Sequence, residues 1–146
     1  MSDQITTVVK TFFDKPAILK KMDAARRRSL SKAGAFVRAD ARASIRKSKK
    51  ISQPGRPPRS HVGLLKKFLF FGYDPAAKSV VVGPARLTKV GAAPQALEHG
   101  GTTQIMTGRK GRRKKRTITI RPRPFMAPAL AKNIKKIPAA FLNSIR

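Results

Sequence analysis

Apolar residues recur at helical spacing between Pro16 and about Lys47. Leu19, Met22, Leu30, Ala33, Val37, Ala41 and Ile45 follow one another at steps of three and four or their sums, forming one stripe. Arginines at 26, 27, 28, 38, 42 and 46 fill much of the opposite surface. Asp14 suits an N-cap and Pro16 the first turn, so one long amphipathic helix is expected from about residue 14 to residue 47. Gly34 interrupts it with a position where a neighbour can approach closely. The period then changes. Residues 68–73 and 79–83 are apolar runs flanking the turn-prone Asp74-Pro75-Ala76-Ala77, which predicts a hairpin. Phe70 and Phe71 must face opposite sides of it, which leaves one free to be covered by a helix and the other by a partner subunit. Residues 102–106 and the alternating 117–121 predict a second hairpin, with residues 108–116 as its tip. A last helix is expected over 125–145, with Pro138 implying a break or kink.

This order predicts an α+β fold: a long N-terminal amphipathic helix, a small antiparallel sheet of about four strands in two hairpins, and a C-terminal helix. Residues 1–13 form an expected N-terminal arm, and 14–146 a single domain. Residues 48–61 carry three prolines, a glycine and several charges, and read as an extended Pro-rich loop. Residues 84–94 read as a loop, and Ala96-Leu97-Glu98-His99 as one helical turn ended by Gly100-Gly101.

Charge changes the picture most. The 146-residue chain has a formal net charge of +28, with only six acidic residues. Most Lys and Arg side chains must therefore find counter-ions outside the chain, on nucleic acid or on an acidic protein surface. Aromatic residues make up 6%, so the core rests on few large side chains and does little to offset self-repulsion. Cysteine is absent, which excludes disulfides and thiolate metal sites. Residues 1–7 are polar and slightly acidic, unlike a secretory signal, and no apolar run approaches the ~20 residues of a membrane span. A soluble intracellular protein is the expectation.

The strongest local signal is the tip: Arg109, Lys110, Arg112, Arg113, Lys114, Lys115 and Arg116, with two glycines and no acid. Arg26, Arg27 and Arg28, with Lys20, Lys21 and Lys32, give a second basic surface. Neither patch contains an aromatic residue, so base stacking is not expected, and any nucleic-acid contact would be to backbone. His61 and His99 lack the acids that a catalytic or metal set requires, and the phosphate-cradling Gly-x-x-x-x-Gly-Lys-Ser/Thr motif is absent. No enzyme, cofactor or metal site is expected.

Four segments in order carry a family pattern. They are Pro54-Gly55-Arg56-Pro57-Pro58 followed by His61-Val62-Gly63-Leu64-Leu65; Val80-Val81-Val82-Gly83-Pro84; Ala96-Leu97-Glu98-His99-Gly100-Gly101-Thr102; and Arg123-Pro124-Phe125-Met126-Ala127-Pro128-Ala129-Leu130. Together with the basic N-terminal helix, they resemble the tail-completion, or neck, proteins of long-tailed bacteriophages, over about residues 16–135. His99 stands where that family has an aromatic residue, an extra glycine follows, and the basic tip is more extreme. The resemblance implies a non-enzymatic virion protein that joins the head connector to the tail tube. It would work in a homo-oligomeric ring, of six subunits by analogy with the tail's symmetry. Neighbouring neck and tail proteins with acidic surfaces, or DNA in the channel, would meet its charge, and no membrane would be involved. It further implies that Glu98, His99 and Arg123 lie at subunit contacts, with Glu98 bridging to an arginine. Gly83-Pro84 and Gly100-Gly101 would shape turns, Arg123-Pro124-Phe125 would lock the last helix onto the sheet, and Pro128 would serve the fold. The rival reading from composition alone is a stand-alone, non-specific nucleic-acid-binding protein of ribosomal or chromatin-like type.

Overall fold

A computed structural model describes residues 14–85, 93–108, 112–142 and 144. The expected N-terminal arm and the tip residues Arg109 and Lys110 lie outside them. Helix α1 runs Lys15–Ser44. The Ala17 N–H donates to Asp14 Oδ1 at 3.0 Å, and Pro16 sits in the first turn, as expected from the sequence. Two-residue strands β1 (Arg46–Lys47) and β2 (Arg59–Ser60) pair in parallel and close the ends of the Pro-rich segment. A four-residue helix α2 (Leu64–Lys67) leads into β3 (Leu69–Asp74) and β4 (Ser79–Pro84), an antiparallel hairpin. Helix α3 (Ala93–His99) precedes the hairpin β5 (Gly101–Thr107) and β6 (Lys114–Ile120). Helix α4 (Met126–Ile134) and a 3-10 turn at Pro138–Ala140 follow.

The architecture is α+β, with two refinements. The four long strands form two separate two-stranded sheets rather than one. The last helix stops at Ile134, well short of 145, and the chain resumes at Pro138 as a single 3-10 turn. Pro138 has no N–H to donate and its ring would clash with the preceding turn, so one continuous helix is not available.

The core gathers Val37, Ala41 and Ile45 from α1, Leu65 from α2, Leu69 from β3, and Phe125 and Ala129 at the start of α4. Phe125, Ile45 and Leu69 are its largest fully buried side chains. Of ten buried hydrophobic residues among those described, five are alanines (25, 33, 41, 96 and 129), so the helices approach closely but bury little area per contact. The predicted stripe on α1 is buried from Ala33 to Ile45, whereas Leu19 and Met22 near the front are exposed. Ala25 and Ser29 take the inward positions there. Ser29 Oγ donates to the Ala140 carbonyl at 2.8 Å, which lets a hydroxyl occupy the buried face.

The hairpin β3–β4 lies on α1 at Gly34. A Cβ at Gly34 would come within 2.7 Å of Val80 Cγ2 and 3.1 Å of the Phe71 ring, so the glycine permits this approach. Phe71 thus faces the helix, and Phe70, on the other side, stays half-exposed, in line with the strand alternation.

Candidate functional site

Three of the four family-pattern segments meet at one junction. Residue by residue, its centre is Glu98, at the end of α3. Its Oε2 accepts the N–H groups of Phe125 at 2.9 Å and Met126 at 3.0 Å, and its Oε1 accepts that of Ala127 at 2.8 Å. These are donors that the first turn of α4 leaves without helical partners, and the positive end of the helix dipole adds to the attraction. Glu98, expected to bridge to a neighbouring subunit, is therefore used inside the chain. Arg123 joins the same junction. Its N–H donates to the Leu97 carbonyl at 2.6 Å, its Nε to the Ser52 carbonyl at 3.0 Å, and its Nη1 to the Arg121 carbonyl at 3.3 Å. Gly55 N–H donates to the Pro122 carbonyl at 2.9 Å, so the Pro-rich segment is laced to the strand exit at two points. Gly100 has φ +79°, and an added Cβ would meet Pro122 Cδ at 3.0 Å. Conformation and space both favour glycine there. Phe125 is buried beneath, and Pro128 lies exposed in the first turn of α4.

The fourth segment, Val80 to Pro84, is strand β4. Gly83 pairs with Phe70 and Pro84 with Leu69. Val82 packs against the core beside Leu97 and Met126. His99 is exposed and lines an apolar groove of about 480 Å³, together with Val37, Val82, Met126 and Leu130.

The basic residues are not one patch. Arg26 pairs with Asp23 at 3.3 Å, Arg27 stacks over the Tyr73 ring at 5.9 Å, and Arg28 Nη2 donates to the Ser144 carbonyl at 3.0 Å. Consecutive helical residues diverge by about 100°, so three neighbouring arginines serve three directions. At the other patch, Lys114, Lys115 and Arg116 belong to β6 rather than to the tip, and Arg112 and Arg113 lead into it. All five are exposed. The ribbon β5–β6 packs on α3 at its base and carries this charge away from the core.

Every described carboxylate already has an internal partner. Asp14 and Glu98 cap helices, Asp74 accepts the N–H groups of Ala76 and Ala77, and Asp23 and Asp40 form the two ion pairs found among the described residues. Asp40 accepts from the Asn133 amide and from Lys132 Nζ, and these hydrogen bonds hold its carboxyl below the ordinary 3.8. Beyond Glu98 the chain has no acid at all. The sequence reading missed the role of Glu98. Its one signal is that Glu98 is the last acid of the chain, and the 27 positions between it and Phe125 leave no local pattern that reports the pairing. Among the described residues no three His, Asp or Glu side chains cluster as metal ligands, and no helix is long and apolar enough to cross a membrane.

Comparison with protein families, curated proteins and solved structures finds no match to this chain.

Proposed function

We propose that this chain is a structural, non-enzymatic component of a bacteriophage neck or tail top, joining the head connector to the tail tube as part of an oligomeric ring. The observation that supports this reading most is the junction around Glu98. The segments that carry the family resemblance, far apart in sequence, are tied by hydrogen bonds and core packing into one unit. A chance likeness in short motifs gives no reason for them to meet.

Two further features favour a partnered chain. The core is poor in large side chains, while Phe70, Val81, Leu130 and Ile134 remain 49%, 62%, 47% and 56% exposed. The positive charge also has no uncommitted described carboxylate to meet, so its counter-charge comes from other molecules. In a neck these would be acidic faces of adjoining rings and the DNA that threads them.

The rival, a stand-alone nucleic-acid-binding protein, draws on one observation: the acid-free, exposed β5–β6 ribbon. A two-stranded ribbon matches the width of a major groove, and it would read phosphates without base specificity. Mass spectrometry of purified particles separates the two. The neck reading expects the chain in virions at a fixed small copy number. Absence from virions with co-purification on ribosomes would eliminate it.

A further inference from the structure

The Pro-rich segment encloses a cleft that the proposed function does not use. It lies between the C-terminal end of α1, β1, the turn at residues 53–56 and β2, with a volume of about 660 Å³. Arg46, Lys50, Arg56 and Arg59 line it, and no carboxylate does. Ser52 lines it too. The Ser52 side chain is buried, with 7% of the residue exposed, and its hydroxyl meets no hydrogen-bond partner in the protein. A buried hydroxyl without a partner is costly, and four like charges around one cleft repel each other. Both features are relieved by the same ligand, an anion with several acceptor oxygens.

The segment is also held in shape for such a role. Arg123 Nε donates to the Ser52 carbonyl and Gly55 N–H to the Pro122 carbonyl, while Arg46 pairs with Arg59 in the β1–β2 bridge. The backbone on either side of Ser52 is thereby fixed before any ligand arrives. The plain alternative is that the cations merely complement the carbonyl end of α1. That accounts for Arg46, next to the helix end, but not for the unpartnered hydroxyl of a residue that lines the same cleft.

We propose that this cleft is a phosphate-binding site, in which the covered Ser52 hydroxyl rotates about χ1 to donate to a phosphate oxygen and Arg46, Lys50, Arg56 and Arg59 neutralise it. Its size suits a nucleotide-sized ligand or a segment of nucleic-acid backbone. The site does not depend on the neck assignment.

The test is thermal unfolding of the full chain at constant ionic strength, held with sodium chloride. Inorganic phosphate, adenosine diphosphate and a short DNA duplex are titrated separately. The expected result is a saturable rise in Tm beyond that given by chloride. A rise with phosphate or adenosine diphosphate identifies a free phosphorylated ligand, and one with DNA alone identifies a phosphodiester. The substitution Arg56→Ser with Arg59→Ser should remove the rise. Ser52→Ala should weaken the apparent affinity on the order of tenfold while leaving Tm in chloride unchanged or higher, since it deletes an unpartnered group. No rise with any of the three ligands, or a rise that both variants retain in full, overturns the proposal.

Discussion

The two hairpins are built from the same parts and held in opposite ways. In β3–β4, Leu69 is fully buried and Phe71 and Val80 crowd Gly34 of α1, so the hairpin is fixed by side-chain packing. In β5–β6, the strands pair over seven residues each, yet Thr103 is the one buried residue among them. This ribbon is anchored at its base, where α3 ends and Glu98 seats α4, and it extends outward with Arg112, Arg113 and Lys114–Arg116 at its far end. An isolated two-stranded ribbon gains little stability in water, and clustered cations reduce it further. The first hairpin is therefore part of the packed core, and the second is held at its base and stays largely exposed along its length.

That contrast can be broken at several points, and the largest effect is expected within the packed hairpin. Leu69→Ala removes a fully buried side chain and should cost about 2–5 kcal/mol, read as a fall in the urea midpoint with loss of cooperative unfolding. Glu98→Gln comes next, because it replaces two charged acceptor oxygens with one neutral oxygen and an NH2 group that cannot accept, so the three helix N–H groups are no longer all satisfied. About 1–2 kcal/mol should be lost, with Phe125 loosening from the core. Gly34→Ala opposes two effects. Alanine favours the helix by about 1 kcal/mol, but its Cβ meets a stiff β-branched Val80 and an aromatic ring. Overpacking of this kind costs about 1–3 kcal/mol, so a net loss of about 1 kcal/mol is expected in denaturant unfolding.

Acid should touch the packed side as well. Asn133 and Lys132 hold the Asp40 carboxyl below its ordinary 3.8, so the ionised form is favoured in the folded state. The contribution is present above 3.8 and is lost as pH falls through the lower folded value. Asp40→Asn should flatten the stability profile in that acidic window and leave it unchanged near neutrality relative to higher pH. The smallest stability effect is expected in the ribbon. Serine at 112–116 should change stability by no more than about 0.5 kcal/mol per substitution, with any gain largest in low salt.

Legibility in the sequence followed the same division. Helix α1 and both hairpins were readable because apolar period and turn chemistry agree there: Asp14 and Pro16 mark the start, and Asp74 closes its turn by accepting two N–H groups. The front of the α1 stripe was misplaced because Leu19 and Met22 have the right spacing but no element opposite them, while Ser29 is inward on account of a carbonyl from Ala140, over a hundred positions away. The junction was half legible. Its segments were recognised as motifs, but pairing Glu98 with the start of α4, and Arg123 with Ser52, is a tertiary fact that no local period reports. The phosphate cleft was hidden for the same reason, since a Pro-rich charged stretch reads as open loop until Pro122 and Arg123 tie it down.

What survives is a distinction between charge and chemistry. The basic residues of α1 are partly absorbed by Asp23, Tyr73 and the C-terminal segment, whereas Arg112, Arg113 and Lys114–Arg116 of the ribbon form no ion pair among the described residues. For the proposed neck function, the most direct test counts joined particles by electron microscopy after a phage carrying this chain is given the variant with serine at Arg112, Arg113, Lys114, Lys115 and Arg116. The expected result is a folded protein made at normal levels, with filled heads and free tails accumulating in place of joined virions. Joining at normal efficiency with this variant would contradict the claim that the ribbon is what the fold presents to its anionic partner.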